Sequence, residues 1–151
     1  MPEIVFEDAP EVREIAHRLI TEHYKRLADA KIGYLIRTGA WTVNGDERPG
    51  NAEKCSGKHR HLTGFDFIVT VNHAIWGMMQ PNEKGALVDH LLSHCGKSEN
   101  GWCYWNHDVE DFASVVRRHG LWQEGVRKYA EAAVEASRQL TIYDVAEKKA
   151  G

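Results

Sequence analysis

The fold of this chain is decided by residues 65–95, which read FDFIVTVNHAIWGMMQPNEKGALVDHLLSHC. The first seven are apolar, β-branched or aromatic with one polar exception, which is typical of a buried strand. Further along, apolar residues recur at helical spacing and predict a helix from Glu83 to Cys95, with Asn82 as its N-cap and Gly96 as its stop. This change of hydrophobic period predicts a mixed α+β chain.

The residues before this stretch predict one helix and one further strand. Asp8 is a suitable N-cap, with Pro10 in the first turn, and apolar residues follow at helical spacing as far as Leu27. Residues 32–36 read as a strand, with residues 41–43 as its candidate partner and a tight turn at Asn44-Gly45. Residues 46–64 are polar and weakly periodic, so the sequence assigns them no element.

The residues after it predict a helical C-terminal half. One amphipathic helix has its apolar positions at Val109, Phe112, Val115 and Val116 and ends at Gly120. The last helix is predicted from about Trp122 to Leu140, and the tail at 143–151 is expected to be frayed. Because no repeat or linker interrupts the pattern, the sequence predicts one α+β domain over residues 1–151: an N-terminal helix, a small twisted sheet and a helical C-terminal half.

Composition narrows the class of protein. The chain has 151 residues, 42% of them hydrophobic, which suits a single domain with a sizeable core. A net charge of −3 provides no basic field for nucleic acid. No apolar segment approaches the roughly 20 residues that span a bilayer, and the N-terminus lacks a signal-peptide pattern. Three cysteines argue against a disulfide scaffold, so a cytoplasmic location is expected.

Two histidines mark the predicted helix as a candidate metal site. His90 and His94 are four residues apart, so their Cβ atoms project from one helical face at a separation of about 5–6 Å. That spacing suits two corners of a zinc tetrahedron. In the H-E-x-x-H signature the residue after the first histidine is the general base, and here it is Leu91. The competing interpretation is a pair of half-buried histidines that are satisfied by hydrogen bonds.

A third ligand is available beyond a loop. His107 is the first choice, because a catalytic zinc site takes three protein ligands and a water molecule. Glu110 is the alternative, either as a carboxylate ligand or as a base. Asp108 or Asp111 could accept a hydrogen bond from a ligating imidazole and orient it. An exposed residue at a helix N-terminus is the competing interpretation of His107.

Two further groups of side chains could bind a partner. Trp102, Tyr104 and Trp105 lie in the loop between the second and third candidate ligands, where they could bind another protein or cover the core. The second is a basic group that comprises Lys54, Lys58, His59, Arg60 and His61. These side chains could contact phosphate or nucleic acid, but because the whole chain is acidic, a solvated loop is the better interpretation.

Three blocks together carry a family resemblance: residues 62–69 (LTGFDFIV), residues 87–95 (LVDHLLSHC) and residues 107–122, which begin HDVEDF and end VVRRHGLW. They resemble the putative phage metallopeptidase family, zincin-like proteins of phages and prophages, over nearly the whole chain. The resemblance implies a zincin-like fold and a zinc ion at His90, His94 and His107. In that family the metal helix reads approximately LLDHELxH, so Leu91 stands where the family has its catalytic glutamate.

The missing glutamate decides the functional prediction. Positioned acid–base catalysis contributes about 10²–10⁴-fold to a rate, and leucine has no titratable atom. We therefore predict a zinc-binding pseudo-metallopeptidase that acts by binding another protein, for which phage membership suggests a host or host-defence protein in the bacterial cytoplasm. The alternatives are an active zinc hydrolase with another base and, more weakly, a nucleic-acid-binding protein. No membrane partner is expected, and the sequence leaves the oligomeric state open.

Overall fold

A computed structural model describes residues 3–110 and 112–150, with side chains described as far as residue 139. The chain is mixed α+β, as the sequence predicts. It divides into two compact units, Met1–Asn106 and His107–Gly151, and each is described by itself.

The first unit contains all the strands of the described chain. In chain order its elements are β1 (Val5–Asp8), α1 (Pro10–His23), a 3-10 helix (Lys25–Leu27), β2 (Ile32–Thr38), β3 (Thr42–Val43), β4 (Asp46–Glu47), β5 (Gly50–Lys54), α2 (Lys58–Thr63), β6 (Phe67–Asn72), α3 (His73–Trp76), α4 (Pro81–Ser93), β7 (Cys95–Ser98) and β8 (Gly101–Tyr104).

A four-stranded sheet in the order β1-β2-β6-β5 forms the centre of this unit. β2 and β6 run parallel with Tyr34 opposite Val69, and both edge strands are antiparallel to their neighbours. All six residues of β6 are buried. This explains its continuous apolar pattern, because a central strand with both faces covered shows no alternation.

The core lies between one face of this sheet and the helices α1 and α4. β6 contributes Phe67 and Val69, α1 contributes Val12, and α4 contributes Val88 and Leu92; each is at most 1% exposed. Burial of each such side chain stabilises the fold by about 1.5–3 kcal/mol. The packing fixes the orientation of α4, the helix on which the candidate metal ligands lie.

Several helices and strands begin at residues other than those that the sequence predicted, because of local interactions. The chain begins with β1 rather than with a helix, and α1 has Ala9 at its N-cap, without a side-chain cap, instead of Asp8. α4 begins at Pro81 rather than Glu83. Its N-cap is Gln80, not Asn82, because Gln80 and Glu83 form a reciprocal capping box.

The glycine-containing middle of the chain forms elements that the pattern did not predict. The turn at Asn44-Gly45 is confirmed, with φ of 53° and 85°, but it joins β3 to β4, so residues 41–43 do not pair with β2 as predicted. β5 and α2 occupy the unassigned region. β7 and β8 form a hairpin where a loop was predicted.

The second unit is helical, as predicted, in the part of it that the structure describes. Its helices are α5 (Ala113–His119) and α6 (Glu124–Ala150), and Gly120, at φ 71°, follows α5 as predicted. Phe112 is 75% exposed, so its predicted inward position is wrong. The prediction of a frayed tail at 143–151 concerns residues whose side chains lie outside the described ones. Among described residues, no helix combines the length and apolar character needed to span a membrane.

Candidate metal centre

α4 brings the first two candidate ligands together. Val88, Leu91 and Leu92 form its buried face, so His90 and His94 project from the border of that face. Helical backbone geometry continues through His94, the C-cap, at φ −74° and ψ −19°. The two imidazole centroids are 5.1 Å apart and their planes lie at 79°. The predicted placement on one helical face is therefore present.

His94 is held in a single orientation by the hairpin. It is 6% exposed, its ring stacks on Tyr104 at 4.8 Å with an angle of 4° between planes, and its Nδ1 lies 2.6 Å from the carbonyl oxygen of Trp105. Because a carbonyl oxygen can only accept, Nδ1 must donate the proton. Nε2 then carries the lone pair that a metal ion requires.

Trp105 is itself fixed from two sides. Its ring lies against the backbone of Gly96, where an added Cβ would come within 2.4 Å of ring atoms. Arg26 also contacts this ring: its guanidinium carbon is 4.4 Å from the Trp105 ring centroid, and its Nε donates to the carbonyl of Cys95 at 3.1 Å. Gly96 therefore provides a close backbone approach rather than the helix stop that the sequence predicted.

A second network holds the opposite side of α4. The Tyr24 hydroxyl donates to the carboxylate of Asp89 and lies 2.9 Å from the Ser93 hydroxyl. Burial and the adjacent Asp89 raise the pKa of Tyr24 above its usual value. Asp89 is thus engaged away from the histidines, as helical geometry predicts for its position. Its carboxylate is therefore not directed at the histidine group.

His107 completes a group of three imidazoles. One ring nitrogen each from His90, His94 and His107 lies within 4.8 Å of the others; His90 and His107 are exposed and His94 is buried. Zn–N bonds of about 2.0–2.1 Å place tetrahedral nitrogen ligands roughly 3.3 Å apart. The three nitrogens are thus grouped closely enough for one ion to be a reasonable common ligand partner. The residues present therefore fit a divalent metal ion that prefers imidazole.

The other predicted site residues lie apart from this group or outside the described chain. Glu110 and Asp108 are exposed, and neither belongs to the three-histidine group. Asp111 lies outside the described residues. The acceptor that orients His94 is the carbonyl of Trp105, which sequence reasoning missed because every residue has such a carbonyl and no side-chain pattern identifies it.

Leu91 is a core residue. It is 3% exposed and belongs to the apolar cluster between α4 and the sheet. Its Cδ1 would be 3.0 Å from a Cβ added at Gly50, so it packs closely against the backbone of β5. No aspartate or glutamate of the described chain belongs to the histidine group. The position that follows His90 therefore supplies packing and no proton-transfer group.

The three aromatic residues beside the site differ in burial. Trp102 is half-buried and makes an edge contact with Phe67 at 5.8 Å, so it belongs to the border of the core. Tyr104 and Trp105 are 43% and 42% exposed. Two of the three side chains therefore present an accessible surface next to His94.

The basic group is exposed and partly neutralised. Lys58, His59, Arg60 and His61 lie on α2, and all are exposed. Arg60 forms an ion pair with the buried carboxylate of Asp66 at 2.9 Å. That pair gives Arg60 a structural partner, so the group presents less free positive charge than its sequence suggests.

Comparison with known proteins identifies the family. No curated protein and no solved structure matches the chain. The model of the family described as putative phage metallopeptidase matches residues 4–134, which is most of the chain. The family and the three-histidine group together point to metal binding. By this match, the chain belongs to the putative phage metallopeptidase family.

Proposed function

We propose that this protein is a zinc-binding pseudo-metallopeptidase that acts by binding another protein. The observation that carries the proposal is the burial of Leu91 in the core at the position where the family resemblance places the catalytic glutamate. His90, His94 and His107 are the proposed ligands. The proposed setting is the cytoplasm of a bacterial host cell, and the proposed target is a host or host-defence protein.

The chain's own groups support metal retention better than hydrolysis. Bound zinc supplies Lewis acidity and lowers the pKa of a bound water molecule to about 7. The hydrogen bond from Nδ1 of His94 to the Trp105 carbonyl leaves Nε2 on the other side of the imidazole. The stacked Tyr104 ring holds the plane of that imidazole. Peptide hydrolysis also requires a group that takes a proton and delivers it to the leaving nitrogen. Leu91 cannot do this, and Asp89 is bonded to Tyr24.

Metal content and peptidase activity test the catalytic part of the proposal. Untagged wild-type protein, purified without added metal, should contain about one zinc ion per chain and should not hydrolyse unfolded casein in a phenanthroline-sensitive way. His94→Ala should lose the zinc, whereas Glu110→Ala should keep it. Zinc that cannot be loaded into the wild type, or loss of zinc in Glu110→Ala, would contradict the ligand assignment.

The exposed aromatics beside His94 support the protein-binding part. Tyr and Trp are enriched among the residues that dominate protein interfaces, and Tyr104 is more than two-fifths exposed. Crosslinking in host lysate should enrich one specific protein with the wild type and not with Tyr104→Ser. Tyr129→Ser is the matched control, because Tyr129 is an exposed tyrosine, at 66%, on α6 of the second unit. Equal enrichment by both variants would exclude this surface.

Two experiments distinguish the alternative functions, an active hydrolase and a nucleic-acid-binding protein, from the proposed one. Chelator-sensitive cleavage by the wild type that is lost in His90→Ala would establish an active hydrolase with another base, for which Glu110 is the first candidate. Salt-dependent binding of DNA or RNA that Lys58→Ala abolishes would establish the nucleic-acid function.

A further inference from the structure

A second cavity lies within the first unit and contains none of the three histidine ligands. Its volume is about 1180 Å³, and its walls come from residues 8–9, α1, the 3-10 helix and the segment after it, the first half of β2 and residues 64–65. Binding cavities for small molecules typically measure about 300–1,000 Å³. The cavity is therefore large enough for a cofactor-sized molecule.

The charges around this cavity favour an anion. Arg13, Lys25 and Lys31 line it together with His17, and Asp8 is the single carboxylate among its described lining residues. All three basic side chains lie at exposed positions at the border of the cavity. Clefts lined by one sign of charge concentrate ligands of the opposite sign. The excess of positive charge is local, because the whole chain carries −3.

One wall of the cavity is an accessible aromatic ring. Phe65 is 38% exposed, and its ring lies over Gly33, where an added Cβ would come within 3.1 Å of ring carbons. The neighbouring Asp66 is fixed to Lys31 by two hydrogen bonds, one of 2.6 Å from its amide and one of 2.8 Å to its carboxylate. The backbone beside Phe65 is thus fixed, and part of its ring is accessible for stacking.

The backbone of β2 adds polar groups to the same cavity. β1 pairs with β2 only from Leu35 to Thr38, and the last bond of this edge joins the Ala9 amide to the Tyr34 carbonyl at 3.2 Å. Residues 32–34 therefore have no partner strand on the edge of β2 away from β6 within the described sheet, apart from the bond at the Tyr34 carbonyl. The backbone groups of residues 32 and 33 that β1 does not pair could bond the edge of a heterocycle.

We propose that this cavity binds a nucleoside phosphate. The phosphates would contact Arg13, Lys25 and Lys31, and the base would stack on Phe65 near the free edge of β2. Stacking on an aromatic ring tolerates any base, because every base has a π-face. The inference is independent of the metal centre, because no metal ligand lines the cavity.

Calorimetric titration of the full chain tests this proposal. The titrants are ADP, GDP, CDP and UDP, with adenosine and inorganic phosphate as partial ligands, all in EDTA so that metal at the histidine site cannot hold the phosphates. At least one nucleoside diphosphate should bind with a Kd below about 1 mM. Adenosine and inorganic phosphate should each bind at least about tenfold more weakly, because each lacks one half of the recognised chemistry.

Charge reversal provides the matched comparison. Arg13→Glu should weaken nucleotide binding about tenfold or more, whereas Arg18→Glu should change it less than about twofold. Both positions are exposed residues of α1 and both variants change the net charge equally, but Arg18 does not line the cavity. Lys31→Glu is a second reversal at another lining residue, with the same expected loss.

A substitution at Phe65 tests the role of the aromatic wall of the cavity. Phe65→Leu should weaken nucleotide binding about fivefold or more and leave phosphate binding unchanged, because leucine still covers Gly33 but cannot stack. Absence of saturable binding by all four nucleotides, equal effects of the Arg13 and Arg18 reversals, or phosphate binding as tight as nucleotide binding would each overturn the proposal. Native circular dichroism of each variant ensures that a lost signal reflects binding rather than unfolding.

Discussion

The metal centre and the α1 cavity differ in how their functional groups are held. His94 is 6% exposed and fixed by a 2.6 Å hydrogen bond and a ring stack, all within packed structure. Arg13 and Lys31, at the cavity, lie at exposed positions. A buried ligand depends on its packing, so substitutions near it should change stability and metal affinity together. An exposed charge acts through its field, so its reversal should change binding with little change in stability.

Removal of the buried ligand should have the largest effect on metal binding. His94→Ala should lose the metal altogether and should unfold more readily by about 1–3 kcal/mol, because the Trp105 carbonyl loses its donor. Elemental analysis and chemical denaturation without metal measure the two effects. His17→Ala, at an exposed histidine of α1, is the control and should retain full metal content. Retention of metal by His94→Ala would contradict the assigned ligand set.

A change in the β7–β8 hairpin, at Gly96, should have the next largest effect on metal binding. In Gly96→Ala the new methyl group would collide with the Trp105 ring, so the ring must move, and we expect its movement to displace the carbonyl of the same residue, which orients His94. Overpacking of this kind costs about 1–3 kcal/mol, and loss of a ligand's orienting partner typically costs about 10–100-fold in metal affinity.

Gly85→Ala provides the matched control for that hairpin variant. Gly85 lies in α4, and nothing stands within 4 Å of an added Cβ there. Metal affinity should therefore stay unchanged, and stability should rise by about 0.5–1 kcal/mol, because alanine favours a helix interior. Competitive chelator titration measures the affinities. Equal affinities in both glycine variants would contradict the expected coupling between the Trp105 ring and metal binding.

Arg26→Lys, a milder change to the groups that hold Trp105, should have a smaller effect on metal affinity. Arg26→Lys keeps the positive charge but loses the planar group over Trp105 and the Nε donor to Cys95. We expect a loss of stability of about 1 kcal/mol and a loss of metal affinity of less than about tenfold. Arg18→Lys, an exposed position of α1, should change neither quantity. An unchanged thermal midpoint in Arg26→Lys would contradict the tethering role of Arg26.

Leu91→Glu should have the smallest effect on metal binding but should change function. The carboxylate enters a position that is 3% exposed, so stability should fall by about 2 kcal/mol or more. The variant should keep its metal and gain phenanthroline-sensitive hydrolysis of unfolded casein, because under the proposed function it places a general base beside the metal. Leu91→Met, a volume-conserving control, should lose less than about 1.5 kcal/mol and stay inactive. A metal-loaded, folded Leu91→Glu without hydrolysis would show that the glutamate is not the only missing group.

Prediction from sequence was most successful where the pattern was local. The strand around Val69, the helix that carries His90 and His94, and the α+β class follow from the hydrophobic pattern alone, because a buried helical face leaves a period of 3.6 residues and a central strand leaves a continuous apolar run. β1 and β5 were missed because edge strands show weak apolar patterns: β1 is exposed at all four residues.

The sequence by itself determined the candidate ligand residues and the absence of a base beside His90. Two histidines four residues apart must share a helical face, and leucine cannot transfer a proton whatever surrounds it. Tertiary structure alone decided that the Trp105 carbonyl orients His94, that Arg26 and Gly96 hold Trp105, and that Phe65 forms the wall of a cationic cavity. Those relations join residues distant in sequence through backbone groups and packing, which leave no periodic signal in the chain.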